Sequence, residues 1–239
     1  MHSPPPPPSP SSAVPRAHGF SRRGEWALLL LSAASGAADA FVFLCVGQVF
    51  AGVMTGNLVL LGASAAGAGE DGVALRVVTA LAAYACGAAA GALMAGLPLG
   101  LMLLAESVLL GVAAVLWGFG PVASYGDRLG LLALVSLAMG VQGRIRVTPT
   151  NYFTGTLTSL AGRAAARELT PGDVWVVGRL GAVVAGAGLA ALSERWWSPG
   201  AALGPVVLVA AAMVLETAPR GGRDKGKPRP DRGNPAGAA

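Results

Sequence analysis

Histidine is almost absent from this sequence, and charged residues are scarce wherever the chain is apolar. His2 and His18 both lie close to the N-terminus, so the apolar part of the chain holds no histidine metal ligand and no histidine base. Charged residues make up 12% of the chain, whereas soluble domains carry about 25%. Cys45 and Cys86 are too few for a disulfide framework. These shortages argue against a soluble domain and exclude histidine-based chemistry in the apolar region.

Enzyme and nucleic-acid motifs are also missing. The chain contains no Gly-x-x-x-x-Gly-Lys phosphate loop, no Gly-x-Ser-x-Gly nucleophile turn and no His-Glu-x-x-His zinc motif. The net charge is +5, but no basic patch with interleaved aromatic residues supports nucleic-acid binding. We therefore predict that the chain is not an enzyme, with no catalytic residue, no metal and no cofactor, and that nucleic acid is not a partner.

Long apolar runs dominate instead. A helix that crosses a bilayer needs about 20 mostly apolar residues, and six segments meet or approach this length: 26–46, 73–96, 98–119, 129–142 (with an earlier start near Val122), 174–192 and 201–215. Two further segments, 53–68 and 151–166, are shorter and more polar. The fold class predicted is all-α: a polytopic transmembrane helical bundle with about six spans and two short broken or re-entrant helices.

The two ends of the chain differ from its middle. Residues 1–24 begin with a proline- and serine-rich tract, and residues 218–239 are basic and rich in glycine and proline. Such compositions do not form a packed core, so both are predicted to be disordered tails around a membrane domain at 25–217. Basic residues beside the first and last spans favour a cytoplasmic location for both termini.

The membrane domain repeats itself. Segment 28–36 (LLLLSAASG) aligns with 132–140 (LALVSLAMG), which matches Ser32 with Ser136 and Gly36 with Gly140. Next, MTGNLVLLGASAA aligns with FTGTLTSLAGRAA, which matches Thr55-Gly56 with Thr154-Gly155. A small-residue helix follows each block, with Gly87-x-x-x-Gly91 in the first and Ala182-x-x-x-Gly186 in the second. The order of the blocks predicts an internal two-fold repeat, with halves at about 26–119 and 122–217.

The number of crossings decides how the halves are related. If the two threonine-glycine segments do not cross, each half has three crossings and the halves are inverted. If they do cross, the chain has eight spans and the halves are parallel. Arginines at 144, 146, 163 and 167 favour six spans, because only that count places all four in the cytoplasm.

Two interrupted helices at matching positions of a duplicated membrane chain point to a substrate site. The first turn of a helix has unpaired N–H groups and the positive end of the dipole, which suit an anion or a polar solute. We predict that this site contains Gln142 and the two helix starts: Thr55, Gly56, Asn57, Thr154, Gly155 and Thr156. The alternative is that these threonines and the asparagine only cap their helices.

Two acidic residues lie inside predicted spans. Asp39 is in the first span and Glu106 in the third. An intramembrane carboxylate costs on the order of 3 kcal/mol by insertion scales unless it is paired or hydrated, so both are candidates for proton or ion coupling. A structural carboxyl that bonds a neighbouring helix is the alternative for each.

Several of these blocks together resemble a known family. Gly36-Ala37-Ala38-Asp39-Ala40, Met54-Thr55-Gly56-Asn57, Ala138-Met139-Gly140-Val141-Gln142 and Thr154-Gly155-Thr156-Leu157, in this order, are similar to the YoaK-like membrane proteins, also called domain of unknown function 1275. The resemblance implies a multi-pass protein of the bacterial inner membrane with about six spans, and no particular activity. The family usually has Gln-Asn where this chain has Gln142-Gly143.

We therefore expect a small secondary transporter or permease for a small polar or anionic solute. The alternative is a non-transporting assembly, sensor or lipid-binding module. The bilayer is the expected partner, and the glycine-rich helix faces could serve a homo-oligomer or internal packing.

Overall fold

The computed structural model describes residues 21–120, 122, 124–145 and 153–218. All regular secondary structure in this described part of the chain is helical, as predicted, and it includes eight α-helices. They are α1 (Arg22–Phe41, continued by a π-helical segment Val42–Gly47), α2 (Met54–Ala65), α3 (Val73–Leu93), α4 (Leu99–Phe119), α5 (Tyr125–Gln142), α6 (Phe153–Ala165), α7 (Asp173–Trp196) and α8 (Ser198–Thr217).

Six of these helices are long and two are short. Helices α1, α3, α4, α7 and α8 are long and apolar enough to cross a membrane, and α5 has 18 residues. Helices α2 and α6 have 12 and 13 residues, about 18 and 20 Å at 1.5 Å per residue. A hydrocarbon core of about 30 Å is too thick for either to cross. The chain is thus a helical membrane bundle with the predicted pattern of six long helices and two short ones.

The directions of the helices show that the halves are inverted. Gly100 at the start of α4 packs on Thr217 at the end of α8, and Gly118 at the end of α4 packs on Pro199 at the start of α8. Helix α4 therefore runs antiparallel to α8, its counterpart in the other half. Parallel halves would make these two helices parallel, so the alternative of eight spans does not fit the structure.

The two halves interlock through close helix crossings. A Cβ atom on Gly36 of α1 would overlap the carbonyl oxygen of Val183 in α7, and one on Gly186 would overlap that of Ala33. The crossing of α3 with α5 repeats this arrangement, with Gly140 against Tyr84 and Gly87 against Leu137. Extending the sequence alignment without gaps matches Gly36 with Gly140, Ala33 with Leu137, Tyr84 with Val183 and Gly87 with Gly186. The first helix of each half thus packs against the third helix of the other half.

Helix α1 lies at the centre of the bundle. In its most apolar stretch 67% of the residues are buried, whereas the figure for the corresponding stretch of α7 is 11%. The outward surfaces carry large apolar side chains such as Val59, Val184, Val207 and Phe119, an arrangement that lipid, rather than water, accommodates. Both ends of the bundle lie on one face, because the Arg23 side chain donates a hydrogen bond to the carbonyl of Ala218 (3.3 Å). We call this the terminal face.

Some predicted boundaries lie outside or shift within the described residues. Residues 1–20 and 219–239, which contain most of both predicted tails, are outside the described residues, as is Arg146. Helix α1 begins at Arg22, inside the segment assigned to the N-terminal tail, because Ser21 accepts a hydrogen bond from the N–H of Gly24 and caps the helix (3.3 Å). Helix α8 ends at Thr217, the predicted end of the membrane domain.

Candidate functional site

Asp39 holds the loop that precedes the first short helix. Its Oδ1 accepts a hydrogen bond from the N–H of Gly52 (2.7 Å), and the backbone N–H groups of Ala51 and Val53 lie close enough to stabilise its charge. Three successive N–H groups around one carboxylate form a nest of the kind that binds anions. Asp39 therefore fills the anion position beside the start of α2 with a group of the protein itself.

The path of the chain makes α2 a re-entrant helix. Asp39 lies eight residues before the end of the π-helical segment at Gly47, roughly 10 Å along the helix axis. The loop turns back from Gly47 to reach Asp39, so α2 starts well inside the bundle. Gln48 supports the reversal with a left-handed backbone (φ 55°). A broken helix at this depth is tolerated where protein groups satisfy its backbone, and Asp39 supplies such a group.

Asn57 closes the same loop from the other side. Its Oδ1 accepts from the N–H of Phe50 (2.9 Å), and its Nδ2 donates to the carbonyl of Phe50 (2.7 Å). Asn57 is fully buried. A Cβ atom on Gly56 would lie 3.2 Å from the ring of Phe50, so glycine gives this ring its space. The sequence singled out Asn57 and Gly56 for a substrate, and in the structure both hold the loop.

Thr55 has a different environment from its two neighbours. It is the second residue of α2 and its side chain is exposed. The residue that precedes α2 is Val53, with no side-chain hydrogen bond to the helix end. Thr55 therefore does not cap α2, and it takes no part in the hydrogen bonds by which Asp39 and Asn57 hold the loop.

The second short helix is held differently. Helix α6 starts at Phe153, with Thr154 and Gly155 exposed and Thr156 half-buried. A Cβ atom on Gly155 would meet nothing within 4 Å. At its other end Arg163 donates to Asp173 at the start of α7 from both Nε (3.1 Å) and Nη2 (2.5 Å). The loop 146–152, which leads into α6 and includes Asn151 of the predicted second segment, lies outside the described residues.

The two halves also differ at the position of the loop anchor. Extending the alignment of α1 with α5 matches Asp39 with Gly143, which has no carboxylate. A Cβ atom on Gly143 would lie 2.9 Å from the hydroxyl of Tyr84. The first half therefore supplies its own anion to the re-entrant loop, whereas the second half has none at the matching position.

Gln142 joins the two halves at the centre. Its Nε2 donates to the carbonyl of Leu31 in α1 (3.1 Å), and only 1% of the residue is exposed. Its Oε1 has no hydrogen-bond partner in the described part of the chain. Met139, one turn earlier in α5, lies beside the Asp39 loop. A Cβ atom added to Gly52 would lie 3.7 Å from the Cβ of Met139. The structure thus brings together Asp39, the start of α2 and the end of α5.

Two serines belong to the same interior and were missed as site residues. Ser32 and Ser136 occupy matching positions of the repeat, both are fully buried, and neither hydroxyl has a partner among the described residues. Serine within a helix usually bonds a carbonyl of the preceding turn. The sequence does contain a signal for them, because a serine occurs at the same position of two aligned apolar spans.

Glu106 lies in the interior of α4, and no described residue forms a hydrogen bond with its carboxyl group. The residue is fully buried. It lies seven residues after the start of α4 at Leu99, about 10 Å along the helix. The matching position in α8 is Pro205, so this acid has no counterpart in the second half.

Two open cavities lie near the face opposite the termini. One, of about 420 Å³, lies between the end of α4 and the start of α5, and is lined by apolar residues and Asp127. Another, of about 270 Å³, lies between α2 and α3 beside Gln48 and Glu70. Within the described residues, no group of three or more histidine, cysteine, aspartate or glutamate side chains could hold a metal ion.

Comparison with known families covers almost the whole bundle. Residues 27–215 match the family described as "Protein of unknown function (DUF1275)". The chain belongs to the DUF1275 family. The match includes α2 to α7 completely and all but the outer ends of α1 and α8, so the inverted, interlocked halves belong to the DUF1275 domain. Neither the curated proteins nor the solved structures include a match to this chain.

Proposed function

We propose that this DUF1275 protein is a permease for a small polar solute in the inner membrane of a bacterium. The observation that carries the proposal is the pair of inverted halves, each with one helix that is too short to cross the hydrocarbon core. Inverted repeats with discontinuous helices are the architecture in which secondary transporters place their substrates, near the bilayer centre between the halves.

The interlocked crossings suit alternating access. Glycine at each crossing brings the two helix backbones of a pair into direct contact, so each pair can move as one unit against the other. The first pair is α1 with α7, and the second is α3 with α5. Rocking of these pairs would expose the region around Gln142, Ser32 and Ser136 to one face and then to the other. Their unpaired oxygen atoms would accept hydrogen bonds from a solute.

The position of Asp39 argues against an anionic substrate at the start of α2. The predicted anion site depended on free N–H groups at both short helices, and just before the first of them Asp39 already places a carboxylate against the N–H groups of Ala51, Gly52 and Val53. A neutral or donor-rich polar solute fits the unpaired oxygens of the first half better. An anion would have to use the start of α6, where Thr154, Gly155 and Thr156 remain candidates for contact with the solute.

Orientation follows from the arginines of the described residues. Six are on or near the terminal face (Arg22, Arg23, Arg144, Arg163, Arg167 and Arg179), and three are near the opposite face (Arg76, Arg128 and Arg195). Arg179 belongs to the first group because its Nε bonds the carbonyl of Trp175, towards the start of α7 (3.4 Å). Cytoplasmic segments carry the excess of arginine and lysine, so we propose that both termini are cytoplasmic.

Flux into liposomes tests the permease function. Purified protein would be reconstituted and offered labelled urea, glycerol, glycine and acetate, which represent neutral, zwitterionic and anionic solutes. Protein-dependent uptake of at least one of them supports the proposal. If the solute taken up is acetate, Thr154→Val should reduce its uptake, whereas Thr158→Val should not, because Thr158 lies one turn later and donates to the carbonyl of Thr154 within the helix (3.0 Å). Absence of uptake for every solute under all imposed gradients would reject the permease and favour a non-transporting module.

A further inference from the structure

We propose that Glu106 carries the proton that this permease moves with its solute, and that Asp39 is a positioning residue for the re-entrant loop. The inference rests on the proposed function. It separates two acids that the sequence alone treats as equivalent, and it names H⁺ rather than Na⁺ as the coupled ion.

The contacts of the two acids carry the distinction. Asp39 accepts backbone N–H groups, which stabilise a carboxylate, and release of these bonds would free the loop before α2. Glu106 is fully buried with both carboxyl oxygens unpartnered in the described part of the chain. An unpaired carboxylate in an apolar interior is costly, whereas the neutral acid loses only its weaker hydrogen bonds. The pocket therefore accommodates the protonated form of Glu106.

Among the residues that the structure describes, no counter-charge faces Glu106 from the helices that pack around it. Helix α5 contributes Tyr125, Asp127 and Arg128, all in its first turn. Helix α8 contributes Glu216 in its last turn. Helix α1, which touches α4 through Phe41 and Trp117, carries Arg22, Arg23 and Glu25 in its first turn and Asp39 deeper in the bundle. The packing of Gly100 on Thr217 and of Gly118 on Pro199 sets Glu106 against the middle of α8, which has no charged residue.

A bound metal ion is the competing explanation for an unpaired carboxyl group. Metal sites need several ligands, and the described residues contain no cluster of acidic, histidine or cysteine side chains suited to one. Na⁺ could use carbonyl and hydroxyl oxygens instead. A proton needs only one acid in water-excluding surroundings that open to each face in turn, as those of Glu106 would during rocking of the helix pairs.

Infrared spectroscopy of the purified full-length protein tests protonation without knowledge of the solute. We expect a C=O stretching band of a neutral carboxylic acid in the wild type near neutral pH. Glu106→Gln should remove this band and still fold, because the amide is neutral and nearly isosteric with the acid. Asp39→Asn should leave the band in place. Absence of the band in the wild type, or its persistence in Glu106→Gln, would overturn the inference.

Dicyclohexylcarbodiimide supplies a second readout of the same group. A neutral carboxylic acid adds across a C=N bond of the reagent, its proton moves to nitrogen, and the product rearranges to an N-acylurea without a leaving group. Peptide mass spectrometry should find this adduct on Glu106 and not on Asp39. An adduct on Asp39 alone would assign the roles the other way round.

Transport separates failure of this inference from failure of the proposed function. With a solute that the liposome assay identifies, uptake should follow an imposed pH gradient, and Glu106→Gln should lose gradient-driven accumulation by tenfold or more while it retains downhill exchange. Uptake that follows a Na⁺ gradient, or is unchanged in Glu106→Gln, rejects the role of Glu106 and leaves the permease intact. If no solute moves, the permease fails, and the infrared band alone decides whether Glu106 is protonated.

Discussion

Gly186 of α7 lies directly against the carbonyl of Ala33 in α1, with no space for a side chain between the two backbones. The matched pair in the other crossing, Gly87 and Leu137, has the same relationship. Each contact joins one half of the chain to the other. The fold therefore depends on both halves at once, and neither half contains a complete set of these crossings.

The crossing glycines should tolerate no side chain. Gly186→Ala places a methyl group on the backbone of Ala33, and overpacking of this kind costs about 1–3 kcal/mol. Gly188→Ala is the matched control, since a Cβ there meets nothing within 4 Å and alanine raises helix propensity by about 1 kcal/mol. Thermal unfolding in detergent should show a lower midpoint for Gly186→Ala and an equal or higher one for Gly188→Ala. Equal midpoints for both variants would contradict the crossing.

Asp39 should be essential for the loop before α2. Removal of a charged hydrogen-bonded group leaves its donors unpaired, at a cost of about 1.5–3 kcal/mol. Asp39→Ala should therefore lower the thermal midpoint more than Asp39→Asn, because asparagine keeps one acceptor oxygen. The order wild type, Asp39→Asn, Asp39→Ala is the expected result of detergent melts. An Asp39→Ala protein as stable as the wild type would show that the backbone N–H groups of the loop do not need this carboxylate.

Asn57 and Thr55 are two residues apart and should behave differently. Asn57→Ala removes both bonds to Phe50 and leaves two buried backbone groups unpaired, which should cost about 2–4 kcal/mol. Thr55→Ala removes an exposed hydroxyl and should change the free energy of unfolding by less than about 0.5 kcal/mol. Denaturation monitored by tryptophan fluorescence would measure both. A larger loss for Thr55→Ala than for Asn57→Ala would reverse the assignment of structural roles.

The orientation of the bundle predicts the behaviour of reporter fusions in a bacterial host. Alkaline phosphatase, which is active only in the periplasm, should be active when fused after Gly69 and inactive when fused after Ala218. A green fluorescent protein should fluoresce after Ala218 and not after Gly69. The opposite pattern would invert the proposed orientation, and activity of both phosphatase fusions would contradict the placement of the two positions on opposite faces.

Much of the fold was accessible from the sequence. Apolar runs of about 20 residues identify the long helices, and the Thr55-Gly56 and Thr154-Gly155 pairs each lie one residue inside a short helix. The repeat also predicted which residues correspond across the halves, including Gly36 with Gly140. Local composition and spacing are sufficient for these inferences, because hydrophobic length and small-residue pattern act within a single helix.

The site was less accessible. Sequence reasoning grouped Thr55, Gly56 and Asn57 as one substrate-binding start, but Gly56 and Asn57 pack against Phe50 of the loop, whereas Thr55 is exposed. It also treated Asp39 and Glu106 alike, since both are acids in apolar spans. Hydrogen-bond partners come from distant segments, such as Gly52 for Asp39 and Leu31 for Gln142, and the local sequence does not specify them.

The sequence by itself determined that this chain is a duplicated helical membrane protein, because the length of each apolar run and the order of the matched blocks are properties of the linear chain. The tertiary structure alone decided that the halves are inverted, that Asp39 occupies the N–H nest and that Glu106 has no partner in the described residues. These features depend on how the helices pack against one another. That packing is set where two helix backbones come so close that no side chain fits, at Gly36, Gly87, Gly140 and Gly186.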